Sequence, residues 1–320
     1  MIDATAKAIF HGLAQIPTLQ RLASKYGMTP RSAPGNADSG GFARRFIAGE
    51  SIDEAVAAVA DLPGKGLHLT LDYLGESVSS ATAAAAAAGD YVRILDAIVA
   101  SGIERNISLK LTQLGLDVDR ATAVDNMRRI LEPADKHGFF VRIDMENSPY
   151  TDATLGILDT LWQQGHRNIG TVIQSYLRRS EGDIRRLNAM GSRVRLVKGA
   201  YKEPKTVAYQ RKSEVDAAFV DLMKLLLDEG TYPAIATHDP DMIEAAKAHA
   251  RARGYANDRF EFQMLYGIRR DLQMSLVNEG YKVRVYVPFG KQWYPYFMRR
   301  LGERPANVAF VLRGIFSDRS

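Results

Sequence analysis

The chain has 320 residues, of which 46% are hydrophobic and 25% are charged, a composition typical of a globular protein with a sizeable core. It contains no cysteine, which excludes disulfides, thiolate nucleophiles and cysteine-ligated metal or iron–sulfur centres. The net charge is +5, with the basic residues scattered among acidic ones, and this favours acidic small molecules or an anionic membrane surface over nucleic acid. Because the chain has no cysteine, any redox chemistry requires a bound cofactor.

The N-terminal residues MIDATAKAIF carry an aspartate and lack a long apolar segment, so they do not resemble a secretory signal. No later stretch offers the ~18 apolar residues of a membrane span. We expect a soluble, cytoplasmic protein that is also able to associate peripherally with the inner face of a membrane.

The first 60 residues show short helical patterns. A stretch rich in Pro, Gly and Ser runs from Thr29 to Gly41, and Ser51 followed three residues later by Glu54 predicts a helix start. We therefore expect two parts, an N-terminal helical arm over residues 1–60 and a catalytic barrel over residues 61–320.

From Leu67 onward, short β-rich segments alternate with longer amphipathic ones. The predicted strands are Leu67–Leu71, Asn106–Leu111, Phe139–Asp144, Ile169–Gln174, Arg193–Val197, Ala234–His238, Phe260–Met264 and Lys282–Val287. The predicted helices are Asp90–Ser101, Thr122–Lys136, Thr154–Gln164, Glu181–Met190, Val207–Glu229, Asp241–Ala252, Arg269–Asn278 and Trp293–Leu301, and the alanine run 83–88 is also expected to be helical.

Eight alternating units predict an α/β fold, a (β/α)8 TIM-type barrel. The structural alternative is a doubly wound open sheet. A nucleotide-binding version of that sheet is disfavoured, because no predicted strand is followed by a glycine-rich phosphate loop.

Several predicted strands carry polar residues at alternate positions. These are His68, Thr70 and Asp72; Ser108, Lys110 and Thr112; Arg142 and Asp144; Arg193 and Arg195; and Arg284 and Tyr286. Strand side chains alternate between faces, and the face toward the helices must be apolar, so these polar sets should face the barrel interior. They form either a structural layer of ion pairs or a ligand site. A ligand is the better explanation, because the residues fall late in their strands, where barrel active sites are built.

Eight segments spread over residues 106–307 carry a more specific signal. They are SLKLTQLG (108–115), VRIDMENSPY (141–150), TVIQSYLRRS (171–180), VRLVKGAY (194–201), ATHDP (236–240), FEFQMLYGIR (260–269), VRVYVPFG (283–290) and WYPYFMRRLGERPAN (293–307). In this order they resemble the proline dehydrogenase family, including the proline dehydrogenase domain of bifunctional proline-utilisation proteins. The resemblance implies a barrel enzyme that oxidises L-proline to Δ1-pyrroline-5-carboxylate by hydride transfer to FAD, the first step of proline catabolism to glutamate.

The resemblance also implies roles for single residues. The catalytic centre would comprise Asp144, Arg195 and Tyr286, with Arg195 near the reacting flavin nitrogen. The residues implied to hold the proline carboxylate or to pack around its ring are Lys110, Arg299, Arg300, Tyr296, Tyr201 and Leu265. The implied flavin contacts are Met145, Gln174, Arg195, Lys198, Gly199, Ala200, Thr237, His238 and Gln263. Adjacent arginines suit a carboxylate, because each guanidinium donates two hydrogen bonds from one plane.

The implied cofactor is FAD, bound non-covalently because no cysteine is present and no matching segment suggests a histidyl linkage. The implied electron acceptor is membrane quinone, with a transient contact to pyrroline-5-carboxylate dehydrogenase as a further expectation. No metal is expected, because Asp144 and Glu146 without clustered histidines form a weak ligand set and Arg142 would oppose a cation.

The residues alone leave other functions open. One is a Schiff-base or metal-dependent lyase on the same barrel, which would use Lys110 or Lys198. Another is a non-catalytic binding module for an acidic amino-acid derivative or a nucleic acid, which is disfavoured because the sequence has no basic stripe with interleaved aromatics.

Overall fold

The structure, a computed structural model, describes residues 27–29 and 41–303. Eight parallel strands follow one another around a closed barrel in chain order. They are β1 (His68–Tyr73), β2 (Asn106–Leu109), β3 (Phe140–Ile143), β4 (Ile169–Gln174), β5 (Arg193–Val197), β6 (Ala234–Ala236), β7 (Glu261–Leu265) and β8 (Lys282–Phe289). The predicted (β/α)8 barrel is confirmed.

Helices connect the strands. Within the described ranges they are α1 (Ile52–Val59), α2 (Ala81–Ser101), α3 (Arg120–Lys136), α4 (Thr151–Gln163), α5 (Ser180–Met190), α6 (Lys212–Glu229), α7 (Pro240–Arg253), α8 (Arg270–Asn278) and α9 (Trp293–Glu303). Short 3-10 helices cover Phe42–Arg45, Pro63–Lys65, Thr112–Leu114 and Ser148–Tyr150. Among the helices described, none is both long and apolar enough to cross a membrane.

The helix ends follow from local hydrogen bonds. The start predicted at Ser51 is confirmed, since its side chain accepts from the Glu54 backbone N–H at 3.3 Å. The alanine run forms the first turns of α2, capped by Ser80, so this helix begins earlier than the predicted Asp90. The helix predicted over Val207–Glu229 was placed to start too early, because the corresponding α6 begins only at Lys212.

Outward-facing strand residues form the main core with the helices. Leu69, Ile107, Val141 and Leu196 are fully or almost fully buried in this cluster. Helix α1 packs against both β8 and α2, so it covers the outside of the barrel beside the last strand. Helix α9 instead joins a second apolar cluster near Leu74, the residue that follows β1.

The N-terminal half of the barrel interior holds a layer of compensated charges. Arg284 forms ion pairs of 2.8 Å with both Glu261 and Glu104, and Arg142 donates to the carbonyl oxygens of Thr171 and Arg193 at 3.0 and 2.6 Å. We call Glu104, Arg142, Glu261 and Arg284 the N-terminal charge layer. Arg284 is paired with the two carboxylates and Arg142 Nη1 with the backbone, although Arg142 Nε is buried without a partner, so this layer is mainly structural.

The expectation that all the polar residues fall late in their strands was therefore wrong. Arg193 is the first residue of β5, His68 is the first residue of β1, and Arg284 is only the third of the eight residues of β8. Thr112 lies beyond β2, where its hydroxyl donates to Glu146 at 2.8 Å. Strand alternation predicts the face of a side chain but not its height in the barrel, which depends on register.

Ion pairing sets the protonation of this layer. Partial burial alone would raise the pKa of Glu104, but the hydrogen bond with His68 and the charge of Arg284 lower it to about 2. Burial raises the pKa of Glu261, but the charge of Arg284 and the hydrogen bonds from Arg284 and Gln263 together lower it below its ordinary value. Both carboxylates are therefore ionised at neutral pH and hold Arg284 in place.

We predict that Glu104→Gln lowers the free energy of unfolding at pH 7 by roughly 1–3 kcal/mol, because it leaves Arg284 with one charged partner. Since the folded-state pKa of about 2 lies below the ordinary value of 4.5, this stabilisation is present above pH 4.5 and is lost as pH falls toward 2. Urea unfolding of the unsubstituted protein and of Glu104→Gln, measured from pH 7 to pH 3, tests this prediction.

The control is Glu181→Gln, which alters an exposed ion pair with Arg185. It should change the unfolding free energy by less than about 0.5 kcal/mol at any of these pH values. A constant difference between Glu104→Gln and the unsubstituted protein from pH 7 to pH 3 would contradict the assignment.

Candidate active site

Ionisable side chains from five strands or their ends converge in the C-terminal half of the barrel. Both oxygens of Asp144, the residue after β3, are engaged: Oδ1 accepts from Arg195 Nη1 and Oδ2 from the Tyr286 hydroxyl, each at 2.8 Å. Lys110 Nζ, after β2, lies 3.8 Å from Asp144 Oδ2. We call Asp72, Lys110, Asp144, Arg195 and Tyr286 the C-terminal charge layer, and Asp144 is its centre.

Four contacts fix the position of the Arg195 guanidinium, including the hydrogen bond to Asp144. Its Nε donates to Gln263 Oε1 at 2.5 Å and its Nη2 to Ser108 Oγ at 3.0 Å, while the guanidinium carbon lies 5.1 Å from the centre of the Tyr286 ring. The residue is 4% exposed. A buried guanidinium with four such contacts is a rigid, permanent positive charge at the strand ends.

Asp72, the second partner of Lys110, was seen in the sequence only as an inward polar residue without a role. Its Oδ1 lies 3.5 Å from Lys110 Nζ, and the residue is completely buried in β1. Burial raises the pKa of Asp72, against the lowering effect of Lys110. The signal available was its position at the end of a strand in the same alternating pattern as Lys110.

The two carboxylates control the charges of their neighbours. Burial alone would lower the pKa of Lys110, but Asp72 and Asp144 raise it above its ordinary value. Burial and the same two carboxylates raise the pKa of Tyr286 well above its usual range. Lys110 therefore stays a cation and Tyr286 a hydrogen-bond donor.

A protonated lysine is a poor nucleophile, so this geometry disfavours the Schiff-base lyase at Lys110. Lys198 is also held by carboxylates, at 2.5 Å from Asp216 and 2.7 Å from Asp239. Throughout residues 27–29 and 41–303, no three carboxylate or imidazole side chains form a candidate metal-binding group.

A pocket opens beside Lys110. Its wall is formed by Leu74, Gly75, Glu76, Lys110, Gln292, Pro295 and Tyr296. A Cβ on Gly75 would lie 2.3 Å from Gln113 Nε2, so a larger residue at this part of the wall would have to displace the Gln113 side chain. The guanidinium carbon of Arg300 lies 5.1 Å from the centre of the Tyr296 ring, whereas the side chain of Arg299 lies outside what the structure describes.

The residues predicted to contact flavin line strands β4 to β7 at the same end of the barrel. Gln174 donates to the Glu146 carbonyl oxygen at 2.9 Å, and His238 Nε2 accepts from the Leu265 backbone N–H at 2.9 Å. Strand β6 ends at Ala236 and not at His238 as predicted. Thr237 therefore lies just beyond the strand, where it is buried.

The remaining predicted residues fall into two groups. Met145 is buried in the main core directly after Asp144. The others lie at least partly exposed near the rim, and they are Lys198, Gly199, Ala200, Tyr201 and Leu265. The structure thus brings the three predicted catalytic residues and Lys110 together at one centre and spreads the predicted flavin contacts beside it.

The loop after β5 is held by two contacts that sequence reasoning missed. Gly199 has a φ of +115°, and a Cβ there would lie 2.5 Å from the Tyr176 ring. Four residues further on, the Glu203 carboxylate accepts from the backbone N–H of Ser148 at 2.7 Å and from its hydroxyl at 2.5 Å. Both contacts join residues far apart in sequence, so no local pattern reveals them.

A closed parallel barrel with a charged, pocket-forming site at the C-terminal ends of its strands defines a TIM-barrel enzyme. A family model described as "Proline dehydrogenase" matches residues 55–313. The chain belongs to the proline dehydrogenase family and is an oxidoreductase of that class.

Curated relatives match almost end to end. Proline dehydrogenase 2 of Bacillus subtilis (strain 168) is 43% identical over 273 residues, covering 85% of this chain and 90% of the relative. Proline dehydrogenase of Deinococcus radiodurans is 44% identical over 277 residues, covering 85% and 89%.

Among solved structures, proline utilization A (PutA) of Bdellovibrio bacteriovorus, inactivated by N-propargylglycine, superposes with a TM-score of 0.77 at 29% identity. The match covers 87% of this chain and 34% of that protein. The chain therefore corresponds to about a third of that larger protein.

We predict that Gly199→Ala destabilises the protein by roughly 2–4 kcal/mol, because it combines an unfavourable φ with a collision against Tyr176. Thermal or urea unfolding measures the change. Gly199→Ala should cost less in a Tyr176→Ala background than in the unsubstituted protein, since that background lacks the collision but keeps the strained backbone.

Two glycines provide matched controls. Gly102 has a φ of +72°, and no atom lies within 4 Å of the position that an added Cβ would take, so Gly102→Ala isolates the backbone strain. Gly182 lies in open space in α5 without a positive φ, so Gly182→Ala should be neutral or stabilising. Equal losses for Gly199→Ala and Gly102→Ala would contradict the proposed contact with Tyr176.

Proposed function

We propose that the chain oxidises L-proline to Δ1-pyrroline-5-carboxylate with non-covalently bound FAD as the hydride acceptor, the first step of proline catabolism to glutamate. The observation that carries the proposal is the arrangement around Asp144, which joins Arg195, Tyr286 and Lys110 at the C-terminal end of a family-typical barrel. This is the set of residues that the family resemblance implies for proline and flavin.

The donor set at the strand ends fits a flavin. Side chains with N–H or O–H groups occur on the four consecutive strands β4 to β7 or directly after them: Gln174, Arg195, Lys198, Thr237, His238 and Gln263. Such a row suits a ring system with carbonyl and ring-nitrogen acceptors and a phosphate-bearing chain. The nearby carboxylates Asp216 and Asp239 are already paired with Lys198.

When bound, FAD supplies the acceptor for a hydride from the ring carbon beside the proline nitrogen. The protein's main task is then positioning. Lys110, Arg299 and Arg300 hold the substrate carboxylate, and Lys110 suits this role because its neighbours keep it protonated. Arg195, held rigidly, stabilises negative charge that develops beside it.

Aromatic and aliphatic side chains provide the rest of the substrate site. Tyr296 lines the pocket beside Lys110 and belongs to the second apolar cluster. Tyr286 packs against this cluster, and its hydroxyl donates to Asp144. Tyr201 and Leu265 complete the set that would pack around the five-membered ring. This packing fixes the orientation of the ring carbon that loses the hydride.

The wider context follows from the same proposal. Electrons would pass to membrane quinone, and the product would be consumed by pyrroline-5-carboxylate dehydrogenase after a transient contact. The similarity to PutA proteins supports the second partner. A cytoplasmic location with peripheral docking at the inner membrane face is consistent with the net charge of +5.

The function is tested with purified protein, an artificial electron acceptor and L-proline, with the imine product trapped as its ortho-aminobenzaldehyde adduct. Acid precipitation should release a flavin that chromatographs as FAD. Flavin retained in the pellet would exclude non-covalent binding, and acceptor reduction without adduct would exclude the proposed product.

We predict that Arg299→Met and Arg300→Met each weaken proline binding by about 1.5–3 kcal/mol, the range for a hydrogen bond to a charged group, while flavin content is retained. Dissociation constants for proline and for the ring analogue tetrahydro-2-furoate measure the effect. Arg185→Met, on the exposed side of α5, is the control. Unchanged affinity for both ligands in either variant would remove that arginine from the carboxylate site.

Lys110 and Asp144 should be energetically coupled. Removing one leaves the other buried and less compensated, so Lys110→Ala and Asp144→Ala should each slow reduction of the flavin by proline. The double variant should lose less than the sum of the single losses, with a coupling of at least ~0.5 kcal/mol. Stopped-flow reductive half-reactions across a proline series provide the four rates, and strict additivity would mean that the two residues act independently.

A further inference from the structure

Residues 41–50 form a segment, here called the N-terminal strap, that runs across the ends of β7 and β8. Ala48 N donates to the Pro288 carbonyl oxygen and Gly290 N donates to the Gly49 carbonyl oxygen, both at 2.9 Å. A Cβ on Gly267, which follows β7, would lie 1.8 Å from the Arg45 carbonyl oxygen. The strap backbone is therefore in direct contact with the strand ends that lead to α8 and α9.

The strap also packs against α9. Phe46 and Phe297 have ring centres 6.1 Å apart, and each is 2% exposed. The indole N–H of Trp293, the first residue of α9, donates to Glu50 Oε1 at 2.9 Å. Trp293 is also almost completely buried, so Glu50 gives its indole a polar partner in an otherwise apolar setting.

The strap is itself anchored on the opposite side. Arg44 is buried and donates to the carbonyl oxygens of Met28 and Thr29, and its guanidinium forms a 2.8 Å ion pair with Glu54 in the first turn of α1. Because α1 packs on β8, the strap is fastened to the barrel before it reaches α9.

The strap contributes Ala43, Phe46 and Ile47 to the apolar cluster that α9 shares. Its buried members are Met28, Ala43, Phe46, Ile47, Leu74, Trp293, Tyr294, Tyr296, Phe297 and Met298, with Ile268 and Tyr286 packed against it. Within the described part of the chain, none of helices α1 to α8 contributes a buried residue to it. Trp293 and Phe297 of α9 therefore contact the strap, and Tyr296 lies in the same cluster between them in sequence.

We infer that the N-terminal strap positions α9, and through it Tyr296 and Arg300, over the substrate pocket, with Glu50 as a positioning residue that acts through Trp293. The substrate part of this inference rests on the proposed function. The structural part, that Glu50 fixes the environment of Trp293, does not.

The hydrogen bond gives a direct experiment, because the chain has only two tryptophans, Trp162 and Trp293. In a Trp162→Phe background, the emission of the full-length protein reports Trp293 alone. Glu50→Ala should shift the emission maximum and raise the KM for proline about three- to tenfold, the effect of losing one hydrogen bond, with kcat within about twofold and flavin content unchanged. Glu50→Gln keeps an acceptor oxygen and should behave like the parent protein.

A second variant separates this contact from other effects of the substitution. Trp293→Phe, made in the otherwise unsubstituted protein, removes the donor and should raise the KM by a similar factor. Adding Glu50→Ala to it should change the KM little further, because the contact is already gone. Trp293→Phe also carries the test if Glu50→Ala does not fold. Glu181→Ala, at an exposed ion pair on α5, is the control and should alter neither emission nor KM.

The inference is overturned if Glu50→Ala leaves the Trp293 emission unchanged, if emission shifts while the KM stays at the parent value, or if Glu50→Gln is as impaired as Glu50→Ala. Full additivity of Glu50→Ala and Trp293→Phe would also overturn it. If the parent protein does not oxidise proline at all, the proposed function fails, and the emission series still decides whether Glu50 holds Trp293.

Discussion

Two hydrogen bonds accepted by the carboxylate oxygens of Asp144 organise the candidate active site. One oxygen fixes Arg195 and the other fixes the Tyr286 hydroxyl, so a single carboxylate joins β3, β5 and β8 across the barrel. The underlying constraint is that a charge inside a barrel must be compensated there, since desolvation of an isolated ion is costly. Lys110 lies 3.8 Å from the Asp144 carboxylate, and Gln263 is connected to it through Arg195.

The two charge layers meet this constraint to different degrees. In the N-terminal layer, Arg284 has carboxylate partners at 2.8 Å on two sides. In the C-terminal layer, Lys110 is 3.5 Å and 3.8 Å from its two carboxylates, which are longer contacts for a charged pair. All three nitrogens of the Arg284 guanidinium are thus paired within the protein, whereas Lys110 retains capacity for a third, shorter contact with an incoming carboxylate at the pocket.

Strand periodicity predicted much of this arrangement. The alternation in LHLTLDY, ISLKLTQ and KVRVYVP correctly indicated inward faces, and the family resemblance indicated which of those residues meet. Height in the barrel was not predictable, because it depends on register: Arg284 finds Glu104, 180 residues away, only once the barrel closes. The roles of Asp72, Glu203 and Glu50 were missed for the same reason, since each is defined by a partner from a different element. The contact between residues 41–50 and α9 was not predicted either, because it joins elements far apart in the sequence.

The most direct test of the account is an anaerobic titration of the purified protein with L-proline, followed by absorption spectroscopy. We expect a yellow protein whose visible flavin bands bleach on addition of L-proline and return on exposure to an electron acceptor. A colourless protein, or a flavin spectrum that excess L-proline leaves unchanged, would contradict the claim that this barrel holds a flavin and oxidises proline.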